Sequence, residues 1–323
     1  MMIRRRTLIA APALLAAGSA LAQAPWPPGP VRGICPFAPG SATDIVARLF
    51  ADAMRPHLGQ PIVIENRAGA GGMLGAEAVA RAAPDGMTLL FGTNSTNAAA
   101  NALFKRVPFD MERAFVPVST LASVPLIVAV KGDSPHATLA DLLTAARARP
   151  EAITYAQASS SQRVAAEMLS SMAGVKMLMV PYRSSPLAVQ DLIAGRVDVY
   201  VADQAVILPQ VQTGALKALA VTTKERSPQL PNVPTVAEAG NLPDYELFAW
   251  FVLAAPAGTP APIVNRLNQA VRAAMDSPEL RERLATGVGM AVRPSTPDEA
   301  ATFIAAETVK WSNAIRAAGI EPE

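Results

Sequence analysis

The chain has 323 residues, 51% of them apolar, with 28 basic against 26 acidic residues, two histidines and one cysteine. One cysteine excludes an intramolecular disulfide, and two histidines (His57 and His136) with no CxxC or HxxxH spacing give no reason to expect a metal site. The length exceeds what one hydrophobic core usually supports, so two domains are expected, and the apolar content can fill both.

At the start, Arg4, Arg5 and Arg6 precede the apolar run Leu8 to Ala17, and small residues follow through Ala24. That pattern reads as a secretory signal peptide, too short for the ~20 residues that span a bilayer. Ala20-Leu21-Ala22 fits the peptidase rule, so residues 1–22 are expected to be removed; Ala22-Gln23-Ala24 is the other match. The arginines resemble a twin-arginine signal but lack its usual Phe, which leaves both export routes open. Three of the 28 basic residues and none of the 26 acidic ones lie in this segment, so the remainder holds 25 against 26. A near-neutral chain with no Lys/Arg block after residue 6 argues against a nucleic-acid or anionic-membrane partner. A periplasmic location is expected.

Beyond the proline-rich residues 25–30, short apolar runs alternate with helical spacing, the signature of βαβ units and largely parallel sheets. Strands are expected at 31–35, 61–65 and 87–91, with helices over 44–54, ended by Pro56 and Gly59, then over 75–83 and around 97–103. Cys35 falls in the first strand, where a buried structural role is expected. A second series has strands at 126–130, 153–156, 177–180, 197–201 and 216–221, with helices over 138–149, 161–173, 186–194 and 204–211. A proline-rich connector (227–243) leads to a strand at 247–254, and helices over 261–274, 278–285 and 297–317 close the chain.

In open α/β sheets ligands bind beyond the carboxyl ends of strands, where helix starts present free N–H groups. Five such loops here are small and polar. Gly40, Ser41, Thr43 and Asp44 follow the first strand, where Gly permits close approach, hydroxyls can donate, and the helix start favours an anion. Thr93, Asn94 and Ser95 follow the third strand. Ser159, Ser160, Ser161 and Gln162 open one helix of the second series, and Tyr182 to Ser185 open another. Asp203 follows the 197–201 strand. N-capping explains any one of them; five of one character point to a shared polar cleft. Arg183 is the only cation among them and could pair with a carboxylate.

The stretch Gly69-Ala70-Gly71-Gly72-Met73-Leu74-Gly75 imitates a dinucleotide fingerprint, but Leu74 stands where the third glycine belongs, and no acid ends the next strand. No cofactor is expected. There is no Gly-x-Ser-x-Gly elbow, no Ser with a His partner and no Walker sequence, so a non-enzyme is expected. The rival reading is an exported hydrolase-like enzyme with Asp44 or Asp203 as its acid.

Residues 36–44 (PFAPGSATD), 65–72 (ENRAGAGG) and 84–89 (PDGMTL), then 180–183 (VPYR), 191–195 (DLIAG), 219–222 (LAVT), 233–235 (VPT) and 255–260 (APAGTP), resemble the Bug (TctC-like) receptors of tripartite tricarboxylate transporters. The resemblance spans the chain after the signal. It implies a two-lobed type II periplasmic-binding-protein fold, each lobe a mainly parallel sheet flanked by helices. One lobe would hold residues 23–123 plus 249–323 and the other 124–248, closing about hinges near 121–125 and 247–250. It also implies a small carboxylate ligand, permease subunits as partners, and a monomer. The family's carboxylate-gripping loops map onto Phe37, Ala38, Gly40, Ser41 and Thr43 and onto Thr93, Asn94 and Ser95; the other lobe's share maps onto Ser159 to Gln162, Arg183 and Asp203. Two departures stand out: Gly40-Ser41 replaces a pair of glycines, and Gln157 to Ser161 replaces a glycine-containing turn. A sensory subunit serving a membrane kinase would have the same sequence features as an uptake receptor.

Overall fold

The computed structural model describes residues 26–111 and 113–322; residues 1–22, read above as a signal peptide, lie outside them. No helix among the described residues is long and apolar enough to cross a membrane. In chain order the elements are β1 Val31–Cys35, α1 Ala42–Leu58, β2 Ile62–Asn66, α2 Met73–Ala80, β3 Thr88–Thr93, α3 Ala100–Leu103, β4 Phe115–Lys131, α4 Leu139–Ala148, β5 Thr154–Gln157, α5 Ser160–Ala173 and β6 Leu178–Pro181. There follow α6 Ser185–Ile193, β7 Val199–Asp203, α7 Gln204–Gln212, β8 Leu216–Val221, α8 Val236–Gly240, β9 Phe248–Pro256, α9 Ala261–Met275, α10 Pro278–Glu282, β10 Ala291–Val292 and α11 Pro297–Ala317. A wide helical turn, Ser95–Ala99, runs directly into α3.

All ten strands join one sheet in the order β2-β1-β3-β9-β4-β7-β5-β6, with β8 and β10 also on β4. The expected parallel order holds on either flank, where β1 pairs with β2 and β3, and β5 with β6 and β7. The middle is antiparallel. Strand β9 runs against β3 and β4, and β4 runs against β7 and β8. Strand β4 also changes partners along its length, with Phe115 to Pro125 on β9 and Leu126 to Lys131 on β7 and β8.

Expecting a strand only from Leu126 missed the first eleven residues of β4. Pro117 and Ser119 straddle a register shift, and on the edge away from β9 that half is paired only at Ala122 and Ser123. A proline's missing N–H is tolerated where no neighbouring strand needs it. Pro125 sits where the partners change. Pro56, expected to end α1, lies inside its last turn, where one ladder bond is lost. Gly59 ends the helix instead, at φ 76° with its N–H on the Arg55 carbonyl. The connector holds α8, capped reciprocally by Thr235 and Glu238, and the last segment, read as wholly helical, contains β10.

Burial follows the periodicity. Helix α9 turns Val264, Leu267, Val271 and Met275 inward, each contributing roughly 1.5–3 kcal/mol against an exposed position. Helix α11 carries a buried acid, Glu307, whose carboxylate accepts from Trp250 Nε1 at 2.8 Å and Trp311 Nε1 at 3.1 Å.

Where β4 changes partners, a fully buried Thr222 stitches three segments. Its Oγ1 accepts from Leu126 N–H at 2.9 Å, its own N–H donates to Leu126 O, and its carbonyl accepts from Leu247 N–H. Thr222→Val keeps the shape but strands a buried N–H. It is expected to lower the unfolding free energy by about 1–3 kcal/mol, with Thr222→Ser much closer to wild type. Denaturant titration checks this, and an unchanged midpoint for Thr222→Val would show that the stitch carries no stability.

Candidate ligand-binding site

Five helical starts and one strand meet around a narrow polar cavity. Its wall takes Phe37, Ser41, Ala42 and Thr43 from the start of α1, and Thr93, Asn94 and Ser95 from the end of β3. Facing them are Ser159, Ser161 and Gln162 at α5, Ser185 at α6 and Asp203 before α7, while Ala249 and Phe251 come from β9. The two sides touch. Ser95 Oγ accepts from Ser161 N–H at 3.3 Å, and a methyl group on Gly40 would stand 3.4 Å from Pro186 Cγ.

Capping separates three of the five helix starts here from ordinary helix ends, while Ser41 and Ser184 cap α1 and α6 in the usual way. Away from the cavity, Thr138, Thr235, Ser277 and Thr296 all spend their hydroxyls on their own helices. Asn94, Ser159 and Asp203 occupy N-cap positions at the cavity and make no side-chain cap bond. Their side chains turn instead to neighbours at the cavity: Ser159 Oγ lies 3.0 Å from Ser161 Oγ, and Asp203 accepts from Gln162. Asn94 is fully buried, and while its Oδ1 accepts from Trp250 N–H at 3.4 Å, its Nδ2 donates to nothing in the protein. Thr93 Oγ1 accepts from Ser95 N–H, which leaves its own proton to donate.

Opposite lies one carboxylate. Asp203 is 7% exposed, and Gln162 Nε2 donates to its Oδ2 at 3.2 Å. The Gln162 amide is oriented by Tyr200 Oη (2.8 Å) and Ala158 N–H (2.9 Å), which both donate to its Oε1. Burial pushes the Asp203 carboxyl above the usual aspartate range, and the bond from Gln162 offsets only part of that. No lysine, arginine or histidine lines the cavity.

The remaining sequence candidates fall elsewhere. Ala38 and Gly40 shape the turn behind Ser41 without lining the cavity, and Arg183 is exposed to solvent beside it. Gln157 and Ser160 line a neighbouring groove with Arg163 and Tyr182. Asp44 faces inward to the turn: Gly40 N–H and Arg48 Nε donate to its Oδ2, and Asn66 Nδ2 to its Oδ1 at 2.8 Å. Burial alone would raise its pKa, but Arg48, the Gly40 N–H and Asn66 together hold it below the ordinary value. Gln162 and Ser185 were read as members of polar loops, whereas Ala249 and Phe251 gave no sign beyond lying on an apolar strand. The glycine run forms a floor. Gly72 has φ 99°, and a side chain there would meet Thr96 at 2.8 Å and Phe37 at 3.1 Å, so glycine lets the turn close under both loops.

A mixed α/β sheet whose strand ends and helix starts meet around one polar cavity fits the class of solute-binding proteins. The family model described as "Tripartite tricarboxylate transporter family receptor" matches residues 46–320, and the chain belongs to that family. It is similar to a protein of R. palustris solved with adipate, with TM-score 0.89 and 35% identity over 92% of this chain and 100% of that one. It is also similar to MatC from Rhodopseudomonas palustris with bound malate, with TM-score 0.85 and 36% identity over 90% and 100%. Protein BugT of Bordetella pertussis is 35% identical over 91% of this chain and 90% of its own length.

Because Asp44 anchors the turn that carries Ser41 and Thr43, Asp44→Asn is expected to destabilise the protein by about 1–3 kcal/mol near neutral pH. A carboxyl whose native pKa lies below its unfolded value stabilises above the unfolded pKa and loses that contribution as pH falls through the native one. The gap between variant and wild-type melting curves should therefore narrow on acidification; a gap that is flat with pH contradicts this role.

Proposed function

We propose that this chain is an exported periplasmic receptor that encloses a small carboxylate and presents it, as a monomer, to the permease subunits of a tripartite tricarboxylate-type transporter. The observation that carries this reading is the convergence of uncapped helix starts and a buried, unpartnered amide donor, Asn94 Nδ2, on one small cavity. Such a wall offers partial positive charge without a cation, which suits an anion that must later be released. The adipate and malate in the two similar structures agree with it. The proposed lobes are residues 23–123 with 249–323, and 124–248. They would rotate where β4 exchanges β9 for β7 and β8 and where Leu247 meets Thr222. Export would follow removal of residues 1–22.

A thermal-shift screen of mono-, di- and tricarboxylates tests the reading. A ligand at a hundredfold over its Kd should add about 2.7 kcal/mol, seen as a rise of several degrees. Binding by sugars or cations with no response to any carboxylate would overturn it. Thr43→Ala and Thr93→Ala should each weaken the best carboxylate by about tenfold while leaving the fold intact, since a hydrogen bond to a charged group contributes roughly 1.5–3 kcal/mol. Calorimetric titration showing wild-type affinity in both would mean the carboxylate binds elsewhere.

A further inference from the structure

The cavity is electrostatically lopsided. On the α1 and β3 side it offers Ser41, Thr43, Thr93, Ser95 and the unpartnered Asn94 Nδ2; on the α7 side it offers the Asp203 carboxylate, whose side-chain donor is Gln162 Nε2. We infer that Asp203 selects the far end of the ligand: that end must bring a proton-donating group. An aminocarboxylate then binds with no change of protonation, and a plain dicarboxylate binds only with uptake of one proton. The inference rests on the carboxylate reading above and adds to it the chemistry of the second end.

Charge accounting leads there. A dicarboxylate enclosed with an ionised Asp203 would place three negative charges in one small cavity with no Lys, Arg or His in its wall. Two of them, Asp203 and the far carboxylate, would meet at the buried end of that cavity, and like charges so close strongly disfavour both staying ionised. Neighbouring elements offer no relief. On β7 the facing titratable group is Tyr200, whose hydroxyl is committed to Gln162 Oε1 and which burial holds neutral. Strand β4 presents Leu126, α5 presents Gln162, α6 presents Ser185, and α7 begins with Gln204, all uncharged. Asp203 makes no side-chain cap bond to α7, and its side-chain hydrogen bond comes from Gln162. When a dianion binds, one proton from solvent is shared between the Asp203 carboxyl and the ligand's far carboxylate, with no bond to carbon made or broken. An ammonium supplies its own hydrogen and makes a charge-assisted bond instead.

The test compares glutarate with 4-aminobutanoate, and adipate with 5-aminopentanoate, by titration calorimetry on the full mature chain. Where both ligand carboxylates and free Asp203 are ionised, the Kd of a dicarboxylate should rise tenfold per pH unit, the slope for one proton. Heats measured in two buffers of different ionisation enthalpy should give one proton taken up. The ω-amino acids should show neither effect. In Asp203→Asn the dicarboxylate slope should vanish and the ω-amino acids should weaken by about tenfold or more. The wild-type pH series decides the matter even if that variant folds poorly. Dicarboxylate binding with no proton uptake, or ω-amino acids that bind with the same proton uptake as the dicarboxylates, overturns the role of Asp203 while leaving the carboxylate reading standing; no thermal shift with these four or with any other carboxylate overturns both.

Discussion

Seventeen residues of β4 must keep their backbone groups paired while the strand passes from one set of neighbours to another, and the rest of the molecule is arranged by that requirement. Its first half is satisfied by β9, its second by β7 and β8. Thr222 covers the exchange point with a hydroxyl. Because β9 and β7 both lie beside β4, the carboxyl end of β7, carrying Asp203, and the inward residues of β9, Ala249 and Phe251, come to one cavity. The flanking parallel strands then deliver their own carboxyl ends, at Phe37, Thr93 and Ser159, around the same space.

The wall so assembled answers negative charge with dipoles. A buried guanidinium would bind an anion more tightly, but its own desolvation is costly and it leaves an uncompensated charge when the ligand departs. Hydroxyls, an amide and helix N–H groups avoid that penalty. They are also cheap to expose to water when the cavity opens, which matters for a protein that must release what it holds. The arginines stay outside, with Arg48 holding Asp44 under the turn and Arg183 in solvent.

Much of this was legible in the sequence, and the exceptions share physical causes. Alternating apolar runs and helical spacing located most strands and helices to within a few residues, since burial enforces period. The polar turns after the strands were visible because they combine small size with donors. What escaped depended on long-range pairing. Pro117 and Pro125 disguised half of β4, whose outer edge is bonded mostly by side chains and by residues 293–295 rather than by a full neighbouring strand. Pro56 passed for a helix end because the αL glycine that ends α1 lies three residues on. Phe251 and Ala249 carry no local mark at all, since only the sheet order brings them beside Asn94. Capping duty was equally hidden, as Asn94, Ser159 and Asp203 look like ordinary caps until their bonds are traced.

Two of the chain's three tryptophans, Trp250 and Trp311, share the carboxylate of Glu307, and α11, which carries that acid, packs on the turn 95–99. Trp250 also donates its backbone N–H to Asn94, whose free amide faces the cavity. Asn94 thus shares a residue, Trp250, with the Glu307 anchor of α11. The cavity's buried amide is in this way tied, through one backbone bond, to the indole pair that anchors the last helix.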